Sequence, residues 1–103
     1  MAEILVSENI TGEAMTRLYE THDVTFEPDL WQNVEELARQ LRTARAIIVR
    51  NQTKVTRELI KAAPNLQIIA RAGAGLDNID TEAASKAGIV VSYTPSENSI
   101  AVA

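Results

Sequence analysis

Leu66-Gln67-Ile68-Ile69-Ala70-Arg71-Ala72-Gly73-Ala74-Gly75-Leu76-Asp77-Asn78-Ile79-Asp80 holds a strand, a glycine turn and a helix start within fifteen residues. The run from Leu66 to Ala70 is rich in β-branched and aliphatic residues and barely alternates with polar ones, which suits a strand covered on both faces. Two glycines follow one residue apart, where the chain must turn tightly. Asp80 then stands where a helix over Thr81 to Lys86 needs an N-cap, and Gly88 lies just past its end. This is one β-α unit, and the rest of the chain repeats its plan. Ile4-Leu5-Val6, Val24-Thr25-Phe26, Ala46-Ile47-Ile48-Val49 and Ile89-Val90-Val91 are the other short apolar runs. Helices are predicted at Glu13 to Glu20, at Val34 to Thr43 and at Arg57 to Ala63. In the second of these, Val34, Leu37, Ala38 and Leu41 share a face, and Asn33 with Glu36 forms a capping box. Thr56 can cap the third, and Pro64 closes it. Five strands alternating with helices specify an α/β sheet, and right-handed crossovers leave few topologies. A flavodoxin-like three-layer sandwich follows, with a five-stranded parallel sheet in the order 2-1-3-4-5.

Composition agrees with a single domain. The chain has 103 residues, 46 % apolar and 23 % charged, and no cysteine, which excludes disulfides, thiolate metal sites and thiol catalysis. Its 10 Lys+Arg against 14 Asp+Glu leave a net charge of −4, the wrong sign for a nucleic-acid partner. No apolar run approaches the ~20 residues of a membrane span, and no signal-peptide pattern opens the chain. The expected location is cytoplasmic.

In such a sheet ligands bind beyond the carboxyl ends of the strands, near the switch between strands one and three. That places Ser7-Glu8-Asn9, Arg50-Asn51-Gln52 and the segment from Arg71 to Asn78 at the functional rim. The Gly73/Gly75 pair resembles the opening of a dinucleotide fingerprint, but Asn78 stands where the third glycine belongs and the helix begins only near Asp80. Two readings of the loop then compete: a β-α turn that needs glycine for its backbone angles, and a nest of N–H groups for a small carboxylate. Arg50 and Arg71, each at a strand end, favour the anion, because guanidinium forks grip carboxylates and phosphates. Surface pairing with a neighbouring acid is the plain alternative for either one. Other candidates are poorer. His22, the sole histidine, belongs to a helix-to-strand connection at the opposite end of the sheet, and Tyr19 and Trp31 pack against helix surfaces. Glu8 reads as a solvated acid, and Asp77 and Asp80 as acids flanking a helix start. No metal-ligand cluster, P-loop or serine elbow is present.

Three segments resemble a known family. Ala46-Ile47-Ile48-Val49-Arg50-Asn51-Gln52-Thr53-Lys54-Val55-Thr56, the stretch from Ala63 to Asp80, and Ala87-Gly88-Ile89-Val90-Val91 with Thr94-Pro95 and Asn98-Ser99 are similar to D-isomer-specific 2-hydroxyacid dehydrogenases, phosphoglycerate dehydrogenase-like. The likeness runs from about Ala44 to Ala103, while the first forty residues fit by pattern only. Tyr93, Ser96-Glu97 and Asn51 depart from the residues that are frequent there.

The resemblance implies an NAD-dependent oxidoreductase acting on 3-phosphoglycerate, in serine biosynthesis, or on a similar small 2-hydroxy or 2-keto acid. Residues 1–103 would be part of its substrate-binding domain, cut where a helix crosses into a Rossmann NAD domain. Substrate contacts would come from Arg50 and Asn51, from Gly73, Ala74 and Gly75 in the loop, and from Asn98. No catalytic, cofactor-binding or metal-binding residue is expected here, so NAD belongs to the full-length parent and the chain alone should not turn over. With the missing NAD domain and C-terminal return removed, exposed apolar surface should favour self-association. The rival expectation is a stand-alone or excised flavodoxin-like binding or interaction module. A receiver-like phosphoacceptor fits less well, because Arg50-Asn51 occupies the place of its aspartate.

Overall fold

The structure, a computed structural model, describes residues 3–72 and 78–93. Five parallel strands form one sheet: β1 (Ile4–Val6), β2 (Val24–Phe26), β3 (Ala46–Val49), β4 (Ile68–Arg71) and β5 (Val90–Tyr93). Their order is β2-β1-β3-β4-β5, as expected. In register, Ile4 stands beside Val24 on one side and Ala46 on the other, and Ile47 beside Ile69. The connecting helices are α1 (Glu13–Thr21), α2 (Val34–Leu41), α3 (Arg57–Lys61) and α4 (Thr81–Lys86).

Strand periodicity divides the core in two. Leu5, Ile47, Val49 and Ile69 point to one face and pack with Leu37 and Leu41 of α2, Leu59 and Ile60 of α3, and Ala84 of α4. Their neighbours Val6 and Ile48 point to the other face and meet Ile10 and Met15 beside α1. Among the described residues, reversal of winding at β1 therefore puts one helix on one face and three on the other. On the two edge strands Phe26 is 38 % and Val90 45 % exposed.

The three N-caps form, but the Asn33–Glu36 pair makes only half of a capping box: the Asn33 N–H goes to the Leu30 carbonyl, and the Glu36 carboxylate is taken by Arg39 and Gln40. Asn33 Oδ1 accepts the N–H of Glu36 at 3.2 Å, Thr56 Oγ1 that of Leu59 at 3.2 Å, and Asp80 Oδ1 that of Ala83 at 3.0 Å. Gly88 takes a φ of 76° just past α4, a left-handed turn that a side chain would strain. Because Ile89 is spent closing that turn onto the carbonyl of Ala84, β5 begins at Val90 rather than Ile89. Gln67 likewise hands the chain into the sheet by bonding to Arg45, so β4 starts at Ile68.

Two expectations need correction. A 3₁₀ turn at Leu30–Gln32, with Leu30 buried, lies before α2 where only a connection is expected. Val34, placed by spacing on the apolar face of α2, is 64 % exposed. It is the first residue of the helix, and helical side chains lean back toward the N-terminus, away from the core that Leu37 and Leu41 enter.

Candidate functional site

The carboxyl ends of β1, β3 and β4 open into three loops, and buried polar groups tie them together. Ser7 and Thr53 are fully buried, Glu8 is 3 % exposed and Asn78 is 8 % exposed. Polar groups so deep must be paired to be tolerated, and these are. The Ser7 and Thr53 hydroxyls lie 2.8 Å apart. Glu8 Oε2 accepts the backbone N–H of Arg50 at 2.7 Å and of Thr53 at 2.9 Å, and Oε1 accepts that of Gln52 at 3.1 Å. The solvated acid expected at position 8 is therefore a buried template for the β3 loop. Its partners lie 42 to 45 residues away in sequence, so no local pattern could reveal them.

Asn78 works from the opposite side. Its Nδ2 donates to the carbonyls of Arg50 and Thr53, both at 2.7 Å, and its Oδ1 accepts from Arg71 Nε at 3.1 Å. Backbone bonds from Val55 N–H to the Asn78 carbonyl (2.8 Å) and from Asp80 N–H to the Val55 carbonyl (2.9 Å) complete the join. Arg71 thus orients an asparagine that holds the β3 loop. The residue read from sequence only as a missing glycine is a clamp between two loops.

What the framework leaves outward is informative. Arg50 and Asn51 are exposed, while Arg71 is partly buried. The three come together at the ends of neighbouring strands, as the strand order requires. The expected contacts Gly73, Ala74 and Gly75 in the β4 loop, and Asn98 further on, lie outside the described residues, as does Asp77.

A separate open groove of about 450 Å³ runs between Lys54, Thr56, Arg57, Asn78 and Asp80. Neither Arg50 nor Arg71 lines it. Thr56 and Asp80 already occupy the helix ends that open there, capping α3 and α4. We therefore place the candidate site at the arginine rim.

The remaining candidates have structural explanations. His22 is exposed and lies beside Thr21 Oγ1 at 2.8 Å, at the far end of the sheet. Tyr19 packs edge-on to Phe26 with ring centroids 5.5 Å apart and donates to the Ile10 carbonyl at 3.2 Å; burial raises its phenol above the ordinary value. Trp31 belongs to the 3₁₀ turn and is half-buried; its backbone N–H donates to the Ser7 carbonyl at 3.1 Å. Among the described residues no three His, Asp or Glu side chains gather as a metal site, and no helix is long and apolar enough to cross a membrane.

Comparison with known proteins gives this rim a context. The family model described as D-isomer specific 2-hydroxyacid dehydrogenase, catalytic domain, matches residues 4–103. A D-3-phosphoglycerate dehydrogenase of Methanocaldococcus jannaschii is 42 % identical over 103 residues, covering 100 % of this chain and 19 % of that protein. Among solved structures, a protein from Pyrococcus horikoshii superposes with a TM-score of 0.81 at 35 % identity, covering 91 % of this chain and 28 % of its own. An NAD+-bound 3-phosphoglycerate dehydrogenase of Entamoeba histolytica superposes at 0.75 with 31 % identity, over 91 % of this chain and 33 % of its own. The chain thus spans about a fifth of the length of the curated relative it matches.

Proposed function

The chain belongs to the D-isomer specific 2-hydroxyacid dehydrogenase family, in its catalytic-domain part, and on that premise we propose that residues 1–103 are part of the substrate-binding lobe of an NAD-dependent oxidoreductase. Its substrate is a small 2-hydroxy acid, 3-phosphoglycerate or a close analogue. The observation that carries this reading is the pair Arg50 and Asn51, held outward on a loop whose backbone is tied down by Glu8 and Asn78. A loop whose backbone is already tied down presents its side chains to an anionic acid at a smaller ordering cost.

This lobe's part in the reaction is to bind and orient. The Arg50 guanidinium grips an anionic oxygen of the acid through its planar fork, and the Asn51 amide supplies a donor and an acceptor beside it. Fixing the acid in this way lowers the entropic barrier to its reaction with a partner held elsewhere. The hydride chemistry at C2 of the acid would be supplied by NAD held by residues outside this chain.

The described residues do not fit the cofactor's pyrophosphate. Asn78 fills the place of the third fingerprint glycine with a buried side chain, and both Nδ2 bonds are committed to Arg50 and Thr53. Helix α4 starts only at Thr81. Cofactor binding is therefore assigned to the parent's NAD domain; we further infer a cytoplasmic parent and no turnover by this chain alone.

Titration of the ¹⁵N-labelled chain with 3-phosphoglycerate should shift the Arg50, Asn51 and Arg71 amides, and Arg50→Ala should abolish the shifts. No response to it, to glyoxylate or to D-lactate would overturn the substrate assignment. Substrate-dependent NADH production by the purified chain would overturn the assignment of catalysis to the absent part. We also propose that the chain self-associates through apolar surface that the rest of the parent covers; a strictly monomeric mass in light scattering at high concentration would refute it.

A further inference from the structure

Three backbone N–H groups of one short loop, from Arg50, Gln52 and Thr53, converge on the two oxygens of a single carboxylate. Convergent N–H groups of this kind make an anion cradle. Here the cradle is filled from within, by a carboxylate on the loop after β1. We propose that Glu8 is a positioning residue for acid recognition: it occupies the anion nest of the β3 loop and so fixes the direction in which Arg50 and Asn51 are presented. This deepens, and rests on, the substrate-lobe reading.

The loop is held from two sides. Glu8 takes N–H groups of the loop, and Asn78 takes the carbonyls of Arg50 and Thr53. With those peptide groups committed, the N–H groups of Arg50, Gln52 and Thr53 are not available to a ligand. Recognition by this loop then falls to side chains, so positions 50 and 51 can change the acid accepted without rebuilding the backbone. The demand at position 8 is strict. Both carboxylate oxygens accept, so an amide of the same shape would turn an N–H donor against at least one loop N–H. Such a mismatch, buried, is costly.

The test uses the ¹⁵N-labelled chain, amide hydrogen exchange and 3-phosphoglycerate as probe. In Glu8→Gln the Gln52 and Thr53 amides should exchange at least about tenfold faster, and affinity for the probe should fall at least about tenfold. Core amides at Ile47 and Ile69 should keep their protection. Glu8→Ala should lose the same loop protection, and acetate should restore both protection and probe affinity, while acetamide should not. Glu8→Asp keeps two acceptor oxygens on a shorter stem and should fall between. Arg50→Ala separates the two readings, because it should lose the probe without loosening the loop. Unchanged exchange at Gln52 and Thr53 in Glu8→Gln would overturn the proposal, as would undiminished affinity in a loosened loop. Should the unsubstituted chain ignore the probe, the substrate reading fails alone, and exchange with acetate rescue still decides the role of Glu8.

Discussion

Asn78 Nδ2 donates to the carbonyl of Arg50 at 2.7 Å, joining the loop after β4 to the loop after β3. The same nitrogen reaches the Thr53 carbonyl at 2.7 Å, so one side chain spans both ends of a short loop. The residue that breaks the dinucleotide fingerprint is thus the one that builds the rim.

Asn78→Gly completes G-x-G-x-x-G in letters and should fail in function. It removes the bonds to Arg50, Thr53 and Arg71 and leaves two carbonyls short of a donor. A loss of roughly 2–4 kcal/mol is expected in urea denaturation. NADH fluorescence should show no gain of binding, because α4 begins three residues further on. Saturable binding of NADH by the variant would contradict this account.

Ser7 and Thr53 should behave as one unit. Either Ser7→Ala or Thr53→Val leaves a buried hydroxyl without its partner at 2.8 Å and should cost about 1–2 kcal/mol. The double substitution should cost clearly less than the sum, since neither orphan then remains. Strict additivity in a double-mutant cycle would show that the pair is incidental.

Residues 34 and 37 share the apolar stripe of α2 in sequence yet should differ sharply in weight. Leu37 is 1 % exposed, so Leu37→Ala should cost about 2–5 kcal/mol through lost burial and a cavity. Val34 is 64 % exposed, and Val34→Ala should lie within about 0.5 kcal/mol of the parent. Comparable urea midpoints for the two variants would refute the placement of α2.

Glu36 supplies the pH dependence. Hydrogen bonds from Arg39 first, and then Gln40, lower its carboxyl from 4.5 to about 2. A depressed folded-state value means that the stabilisation is present above 4.5 and is lost as pH falls toward 2. Glu36→Gln should therefore flatten the acid limb of a stability profile over that interval. Because the pair is solvent-exposed, added salt should shrink the difference. Identical acid limbs for the two proteins would exclude this contribution.

The chain shows unevenly how far local pattern reaches. Apolar runs, capping residues and the closing Gly88 are local signals, and the strands and helices they mark form with boundary shifts of a residue or a few. Topology follows, because alternating β-α units with right-handed crossovers admit few sheets. Val34 lies outside the core although it shares the apolar stripe, because periodicity gives direction around a helix but not where the covering layer ends. The rule about strand ends places Glu8 and Asn78 on the same rim as Arg50 and Asn51. It does not give their roles, since a buried carboxylate and a solvated one are spelled alike.

The absence of cysteine, the acidic balance and the β-α rhythm are properties of the string, and the β-α rhythm by itself determined a flavodoxin-like sheet with two arginines at the carboxyl ends of its strands. Only the folded chain decided what holds that rim. Glu8 meets Arg50, Gln52 and Thr53 across more than 40 residues of sequence, and Asn78 meets the same loop from a third strand end. Such contacts exist only once strands lie side by side, because burial is what turns a polar side chain from a solvated group into one that must find partners.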